Sequence, residues 1–355
     1  MKKNKWLLLV SILFAVSIAL IACGGNDTDD ESANDTNEET THTEEANDNE
    51  MTEKLTLRMG YVMSETSPTH EAVEQFAANI AERTDGMIEI KPFPNSTLGS
   101  DAEVLEQAKL GDPVIAYNNP SGLEDMAPDL SILGGPFLVE DWEELKKVIE
   151  SDFMEEQEQL LLDNGLQVLA FNWYFGARHI ISDREVVMPD DLNGAKVRSA
   201  PLPMWEETIK AMGASPTSLE WAEVYPGLQQ GVIVGAEAPL ETLYTSKLHE
   251  VADHVSLTGH FKQVNGWLMS AEVFSSLSED YQNILLEEAQ KAGELVAERV
   301  IEQEAEFLQL LEEEGVTISE ADVDVFKDAT EGVYDILSDS WSEGTYERVK
   351  EIIEN

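Results

Sequence analysis

The sequence predicts an α/β fold with mainly parallel sheets covered on both faces, and two observations carry the prediction. From Leu55 onward, apolar runs that alternate like strands are separated by amphipathic segments of helical period. After Leu277 the pattern turns to helix alone, beginning with Asp280 to Leu311, which lacks Pro and holds one Gly, Gly293. At ~1.5 Å per residue that stretch is about 48 Å long. It exceeds the width of one small lobe and is expected to lie across two.

Taken in order, Leu55 to Gly60 alternates like a strand. Ser67-Pro68 then supplies an N-cap with Pro at the first helical position, and Val73, Phe76, Ala77 and Ile80 share one helical face behind it. Thr84-Asp85-Gly86 closes that helix before a strand at Met87 to Lys91. Asp101 opens another helix, with Val104, Leu105 and Ala108 inward and Gly111 at its end. Asp141 to Ile149 begins with an Asp-x-x-Glu capping box, and Asp152 to Asn164 ends at Gly165. Leu166 to Phe171 and Ala195 to Ser199 are strand candidates, with a helix at Pro203 to Met212 stopped by Gly213. Asp322 to Leu337 and Ser342 to Ile353 complete the helical end.

Ahead of this region the chain is of a different kind. Lys2, Lys3 and Lys5 precede an apolar run from Trp6 to Ile21, too short for a spanning helix, which needs about 20 residues. Residues 1–22 therefore read as an export leader. The run ends in Leu20-Ile21-Ala22-Cys23-Gly24, which resembles a bacterial lipobox, and Cys23 is the only cysteine in the chain. Lipidation of Cys23 would tie the protein to the outer face of the cell membrane. Gly24 to Glu53 has twelve acidic residues and no Lys or Arg, so 23–54 is expected to be a disordered acidic tether.

The whole chain has 355 residues, 71 acidic against 22 basic, for a formal charge of −49. Such a balance excludes a nucleic-acid binder and electrostatic docking on anionic lipid. One cysteine excludes an internal disulfide and zinc sites built on several thiolates. Enzyme signatures are scarce: no G-x-S-x-G, P-loop or G-x-G-x-x-G is present, and no cofactor motif is found. His249 and His254 are five apart, which turns their rings about 140° from one another on a helix, so no metal site is expected there.

An ordered series of short motifs points further. Thr84-Asp85-Gly86, Phe93-Pro94 and Leu98-Gly99 are followed by Gly134-Gly135-Pro136-Phe137-Leu138 and Gly176-Ala177-Arg178. Pro189 to Arg198 reads PDDLNGAKVR, and Met212 to Pro216, Glu223-Val224-Tyr225 and Leu228 to Gly231 come after it. The series resembles the solute-binding subunit of TRAP transporters, the C4-dicarboxylate-binding type, in its lipoprotein form. The resemblance covers Leu55 to about Val300, and PxDLxGxKxR is its most specific segment.

That resemblance implies a two-lobe, periplasmic-binding-protein-like (Venus flytrap) fold with the long C-terminal helix crossing both lobes. Lobe I would comprise 55–175 with about 264–303, and lobe II about 176–263 with 304–355. It implies a binding protein rather than an enzyme, closing on a small organic anion and docking on the small and large membrane subunits of the transporter. The Arg ending PxDLxGxKxR maps onto Arg198, whose planar, permanently charged fork suits a carboxylate; a surface ion pair is the other role such a residue fills. Arg178 maps onto a second Arg for a further carboxylate or hydroxyl. Trp221 falls where relatives place an aromatic wall, though a packed core indole fits the residue as well. Tyr174, Glu65 and His70 lie in segments bordering the cleft in relatives, and each also suits a structural part.

Gly231 to Pro239 departs from the family's GVVDGQENP-like stretch: the Asn expected to give the ligand an amide hydrogen bond is Ala238, and the Asp position is Val234. Pro226-Gly227 stands where relatives carry helix formers. One neutral hydrogen bond is worth ~1 kcal/mol, so Ala238 bears on which solute is held rather than on whether one is. The negative charge is compatible with an anionic ligand in a saline medium, because the Debye length falls to ~3 Å at ~1 M salt. Two alternatives stay open from sequence: a same-fold receptor for sensing or for a zwitterionic compatible solute, and an extracellular hydrolase.

Overall fold

The computed structural model describes residues 53–355; the expected leader 1–22, Cys23 and all but the end of the acidic tether lie outside the described residues. The chain opens with β1 (Leu55–Gly60), α1 (Pro68–Arg83), β2 (Ile88–Phe93), α2 (Asp101–Lys109) and β3 (Val114–Asn118). The cap at α1 is as expected: Ser67 is extended and its side chain accepts from His70 N, with Pro68 in the first turn. At its far end Asp85 and Gly86 take φ of 49° and 75°, turning the chain straight into β2. Two 3-10 turns, Pro120–Leu123 and Pro128–Gly134, lead to α3 (Trp142–Ile149) and α4 (Asp152–Asp163).

Next come β4 (Leu166–Ser182), β5 (Lys196–Ser199), α5 (Pro203–Ala211), β6 (Ser215–Ser218), α6 (Val224–Gln229), β7 (Gly235–Pro239) and α7 (Leu240–Thr245). The chain ends with β8 (His254–Ser270), α8 (Ala271–Ser275), α9 (Glu279–Glu313), β9 (Thr317–Glu320), α10 (Val323–Thr330), α11 (Val333–Leu337) and α12 (Thr345–Glu354).

Strand order is β2-β1-β3-β8-β4-β7-β5-β6, with β9 beside β8. The sheet is mixed, which corrects the expectation of mainly parallel sheets. β2-β1-β3 and β7-β5-β6 are parallel, as strand–helix alternation requires, but β8 and β4 run antiparallel between them. These two strands have 17 residues each and pair over nearly their whole length, with bulges between Tyr174 and Gly176 and between Arg178 and Ile180. The expected strand at Leu166 to Phe171 is only the first part of β4, and β8 has no counterpart among the expected elements.

The long helix is α9, with 35 residues, three more than the expected stretch. It packs along β4: Trp173 Nε1 donates to Ala289 O at 2.9 Å, and Asn172 Nδ2 donates to Gln290 O at 2.8 Å. Gly293 is required there, because a Cβ would lie 1.9 Å from Asn172 Oδ1. The helix expected at Asp322 to Leu337 breaks into α10 and α11 around Gly332, and α12 starts after Gly344, at φ 84°. α12 packs on α3, where Lys147 Nζ donates to Ile353 O at 2.7 Å. Among the described residues, no helix is long and apolar enough to cross a membrane.

Candidate functional site

The segment that ends in Arg198 is built by local hydrogen bonding. Pro189–Leu192 forms a 3-10 turn in which the Asp191 carboxylate accepts from Val187 N and Met188 N, both at 2.9 Å. Those bonds, Met188's foremost, hold the carboxyl below the usual carboxylate range. Gly194 turns at φ 76° into β5, and Gly213, at φ 95°, leaves room for Pro189 O, which a Cβ would approach to 2.6 Å. Side chains alternate along β5, so Val197 goes to the core of its helical layer and Arg198 goes to the opposite face.

Arg198 is 5 % exposed and lines a cavity of about 350 Å³. Its Nε donates to Leu219 O at 2.9 Å. Nη1 lies 3.7 Å from Glu237 Oε1, too far for a hydrogen bond. The Trp221 ring stands 5.3 Å from the guanidinium carbon. Burial pushes the group down to about 10, against the pull of Glu237. It is therefore charged at neutral pH. A buried, charged fork whose Nη donors have no hydrogen-bond partner among the described residues can take an anion, and its planar pair of N–H groups matches a carboxylate.

Arg178 is 3 % exposed and lines the same cavity, but it is already engaged. Its Nε donates to Glu237 Oε2, and Nη2 donates to Glu237 Oε1 at 2.9 Å and to Glu237 O at 2.7 Å. Nη1 donates to Gln263 Oε1 at 2.5 Å. Four of the five N–H groups of an arginine are thereby used. Trp205 lies under the guanidinium, with its ring centre 4.6 Å away. Burial would raise the Glu237 carboxyl, but Arg178 and then His260 outweigh it and bring the group down to about 2. His260 Nε2 is 3.7 Å from Glu237, and Nδ1 is 2.7 Å from Thr258 Oγ1. Burial lowers the His260 pKa, with Glu237 opposing.

The cavity thus brings together three of the sequence candidates, Arg198, Arg178 and Trp221. Tyr174, Glu65 and His70 do not line it. Tyr174 packs on Trp142 with centroids 5.0 Å apart and lines a separate small pocket beside Phe175, Val300 and Phe307. His70 sits in the first turn of α1, with Nδ1 at 2.6 Å from Tyr61 OH. Glu65 is exposed in the turn before α1. His249 and His254 share no helix: His249 stacks on Tyr244, and His254 begins β8 beside Asp253.

Several wall residues carry no signal in sequence. Asp101, the first residue of α2, faces Arg198 and Glu220; burial and then Glu220 raise its carboxyl to about 7, with Arg198 opposing. Tyr117, Asn118, Asn119 and Asn265 add neutral polar groups, with Asn265 Nδ2 donating to Tyr117 OH. Ala238 also lines the wall and offers no side-chain hydrogen bond.

Against known proteins, residues 59–340 match the family described as bacterial extracellular solute-binding protein, family 7. The chain is 31 % identical over 275 residues to the 2,3-diketo-L-gulonate-binding periplasmic protein YiaO of Escherichia coli, covering 77 % of this chain and 84 % of that one. A TRAP periplasmic solute-binding protein from Ochrobacterium anthropi with bound L-fuconate superposes with a TM-score of 0.82 at 33 % identity, over 84 % of this chain and 99 % of that one. Another, from Actinobacillus succinogenes with bound L-galactonate, gives 0.81 at 30 % identity over the same shares. The two-lobe periplasmic-binding fold expected from the motifs is therefore the fold of this chain. The chain belongs to family 7 of the bacterial extracellular solute-binding proteins, the solute-binding proteins of TRAP transporters, which bind and deliver solutes.

Proposed function

We propose that this protein captures a small organic acid outside the cytoplasm, with Arg198 holding the carboxylate, and passes it to the small and large membrane subunits of a TRAP transporter. The observation that carries the reading is the buried Arg198 fork, charged and without a partner for its Nη donors among the described residues, opening on a cavity of about 350 Å³. That volume holds about twelve water-sized groups at ~30 Å³ each, the scale of an acid of up to about a dozen heavy atoms. Relatives of the same fold hold L-fuconate and L-galactonate, acids of this size that carry a carboxylate beside several hydroxyls.

Trp221 would cover the apolar face of the ligand, and Arg178, fixed by Glu237, would contribute at most one N–H. In the division we propose, 55–175 with 264–303 and 176–263 with 304–355 make the lobes, and α9 and the β4–β8 pair run through both. α12, through its contacts with α3, would tie the end of the chain to the first of them. Closure about that span would bury the ligand without covalent chemistry. Lipidation at Cys23 would hold the protein at the outer face of the membrane, and 24–53 would serve as its leash; labelling of the wild type but not of Cys23→Ala by a fatty-acid analogue tests this.

Thermal unfolding in the presence of sugar acids, hydroxy acids, keto acids and dicarboxylates tests the main reading. A ligand that binds only the folded state adds RT ln(1 + [L]/Kd), about 2.7 kcal/mol at a hundredfold excess over Kd. At least one acid is expected to raise the midpoint in the wild type. Stabilisation by sugars or amines but by no acid would overturn the assignment.

A further inference from the structure

We propose that the cavity selects acids with a single anionic end, and that Asp101 and Glu220 are the residues that turn away a second carboxylate. The proposal rests on the reading of the cavity as an organic-acid site and specifies which acids it takes.

The argument is a balance of charge along the wall. Three cations line the cavity: Arg178, Arg198 and Lys109. Arg178 is held by Glu237 through both carboxylate oxygens, and Lys109 Nζ is 2.8 Å from Glu106 Oε1. Arg198 alone among these three keeps both Nη groups without a hydrogen bond; Arg178 has one N–H left, and Glu237, 3.7 Å from Arg198 Nη1, is already held by Arg178. Against Arg198 stand four further carboxyl groups on the same wall, Asp101, Glu124, Asp125 and Glu220. A ligand's first carboxylate takes the Arg198 fork. A second one, wherever it falls within reach of these groups, finds no unpaired cation to meet it and faces like charge, screened only in part because Glu220 and Asp125 are exposed while Asp101 and Glu124 are half-buried.

The neutral groups of the wall point the same way. Tyr117, Asn118, Asn119, Thr242, Gln263 and Asn265 supply amide and hydroxyl partners for a polar, uncharged remainder. When ionised, Asp101 and Glu220 accept hydrogen bonds from hydroxyl or ammonium groups and repel a carboxylate; a protonated Asp101 would instead donate to one. Burial and Glu220 hold the Asp101 carboxyl at about 7, with Arg198 opposing. Asp101 loses its proton as pH rises through that value, so discrimination should sharpen from pH 6 to pH 8. The charged groups facing it across the cavity are Arg198 and Glu220, with the Tyr117 hydroxyl beside them.

The test uses matched pairs that differ only by oxidation of a terminal alcohol to a carboxylate: L-galactonate and galactarate, 4-hydroxybutyrate and succinate, glycerate and tartronate. Titration calorimetry on the wild type at pH 8 is expected to show the monoacid at least about 30-fold tighter in every pair of which a member binds, the scale of one like charge ~8 Å away at an effective dielectric of ~20. In the double variant Asp101→Asn, Glu220→Gln the ratio should narrow to within about threefold, and in the wild type it should shrink at pH 6. A diacid that binds as tightly as its partner in the wild type overturns the selectivity. So does a wild-type ratio that the double variant retains. Failure of every acid to bind overturns the organic-acid reading itself, and the selectivity with it.

Discussion

Replacing Arg198 by Ala should weaken binding of whichever acid the wild type holds best by at least about 150-fold. In the described structure its Nε is committed to Leu219 O, while Nη1 and Nη2 face the cavity without a hydrogen-bond partner. A carboxylate meeting both gains two charge-assisted bonds, each worth ~1.5–3 kcal/mol. The lower bound of their sum, about 3 kcal/mol, is a factor of about 150 in Kd. At a ligand concentration a hundred times the wild-type Kd, stabilisation by ligand falls from about 2.7 to about 0.3 kcal/mol. Arg198→Lys keeps the charge but not the fork, and should lie between. Neither change removes the Arg178–Glu237 pair, so both variants should fold, which far-ultraviolet circular dichroism checks. Calorimetric titration reads the affinity. A folded Arg198→Ala protein that binds the same acid within about threefold of the wild type would refute the reasoning.

Four further outcomes concern the pairing, the packing and the cavity wall. Glu237→Gln leaves Arg178 buried with a neutral partner and should cost about 3–5 kcal/mol in denaturant unfolding at pH 7. The folded-state carboxyl lies at about 2 and its ordinary value is 4.5, so its contribution is full above the ordinary value and is lost as pH falls toward 2. The gap between wild type and variant should close over that window, and a gap constant with pH would contradict the pairing. Gly293→Ala should destabilise by about 1–3 kcal/mol, although Ala is favoured over Gly in a helix by ~1 kcal/mol, because its Cβ meets the Asn172 side chain; a stabilised variant would mean that α9 and β4 pack more loosely. Trp221→Ala should weaken ligand binding by roughly 2- to 30-fold, the cost of uncovering about 20–80 Å² of apolar ligand surface at ~25 cal/mol per Å². Tyr174→Phe and His70→Ala, which lie off the cavity, should leave the Kd unchanged.

Much of the architecture was legible because local chemistry dictates it. Ser67-Pro68 marks a helix start that the structure caps as written, and Asp141 caps α3 by accepting from Glu144 N, although the Glu144 carboxylate accepts from Glu140 N rather than closing the box on Asp141. What local pattern did not contain is the antiparallel pair at the centre. β8 is interrupted by Gly259, Lys262, Gln263, Asn265 and Gly266, which break apolar alternation, yet these residues are buried or nearly so because the strand is covered on both faces. β4 continues beyond Phe171 through polar residues for the same reason.

The site follows the same division. The motif ending in Arg198 is legible because its Pro, Asp and Gly positions are each needed to build the turn that aims the strand. Arg178 was identifiable as a candidate, and it does line the cavity, but its partner Glu237 lies 59 positions away, and their meeting depends on a strand register that spacing does not state. Tyr174 shows how narrow the margin is: it lies one position from Phe175, which lines the cavity, at a bulge in β4 that local pattern does not announce. Asp101 is one acid among 71, and nothing near it in sequence says that it faces Arg198.

A crystal structure with the best-binding acid in place tests the account most directly. The carboxylate oxygens are expected within about 3 Å of Arg198 Nη1 and Nη2, with the Trp221 ring alongside and the Arg178–Glu237 pair unbroken. Density for the acid with its carboxylate on any other group, and the Arg198 fork still unpaired, would contradict it.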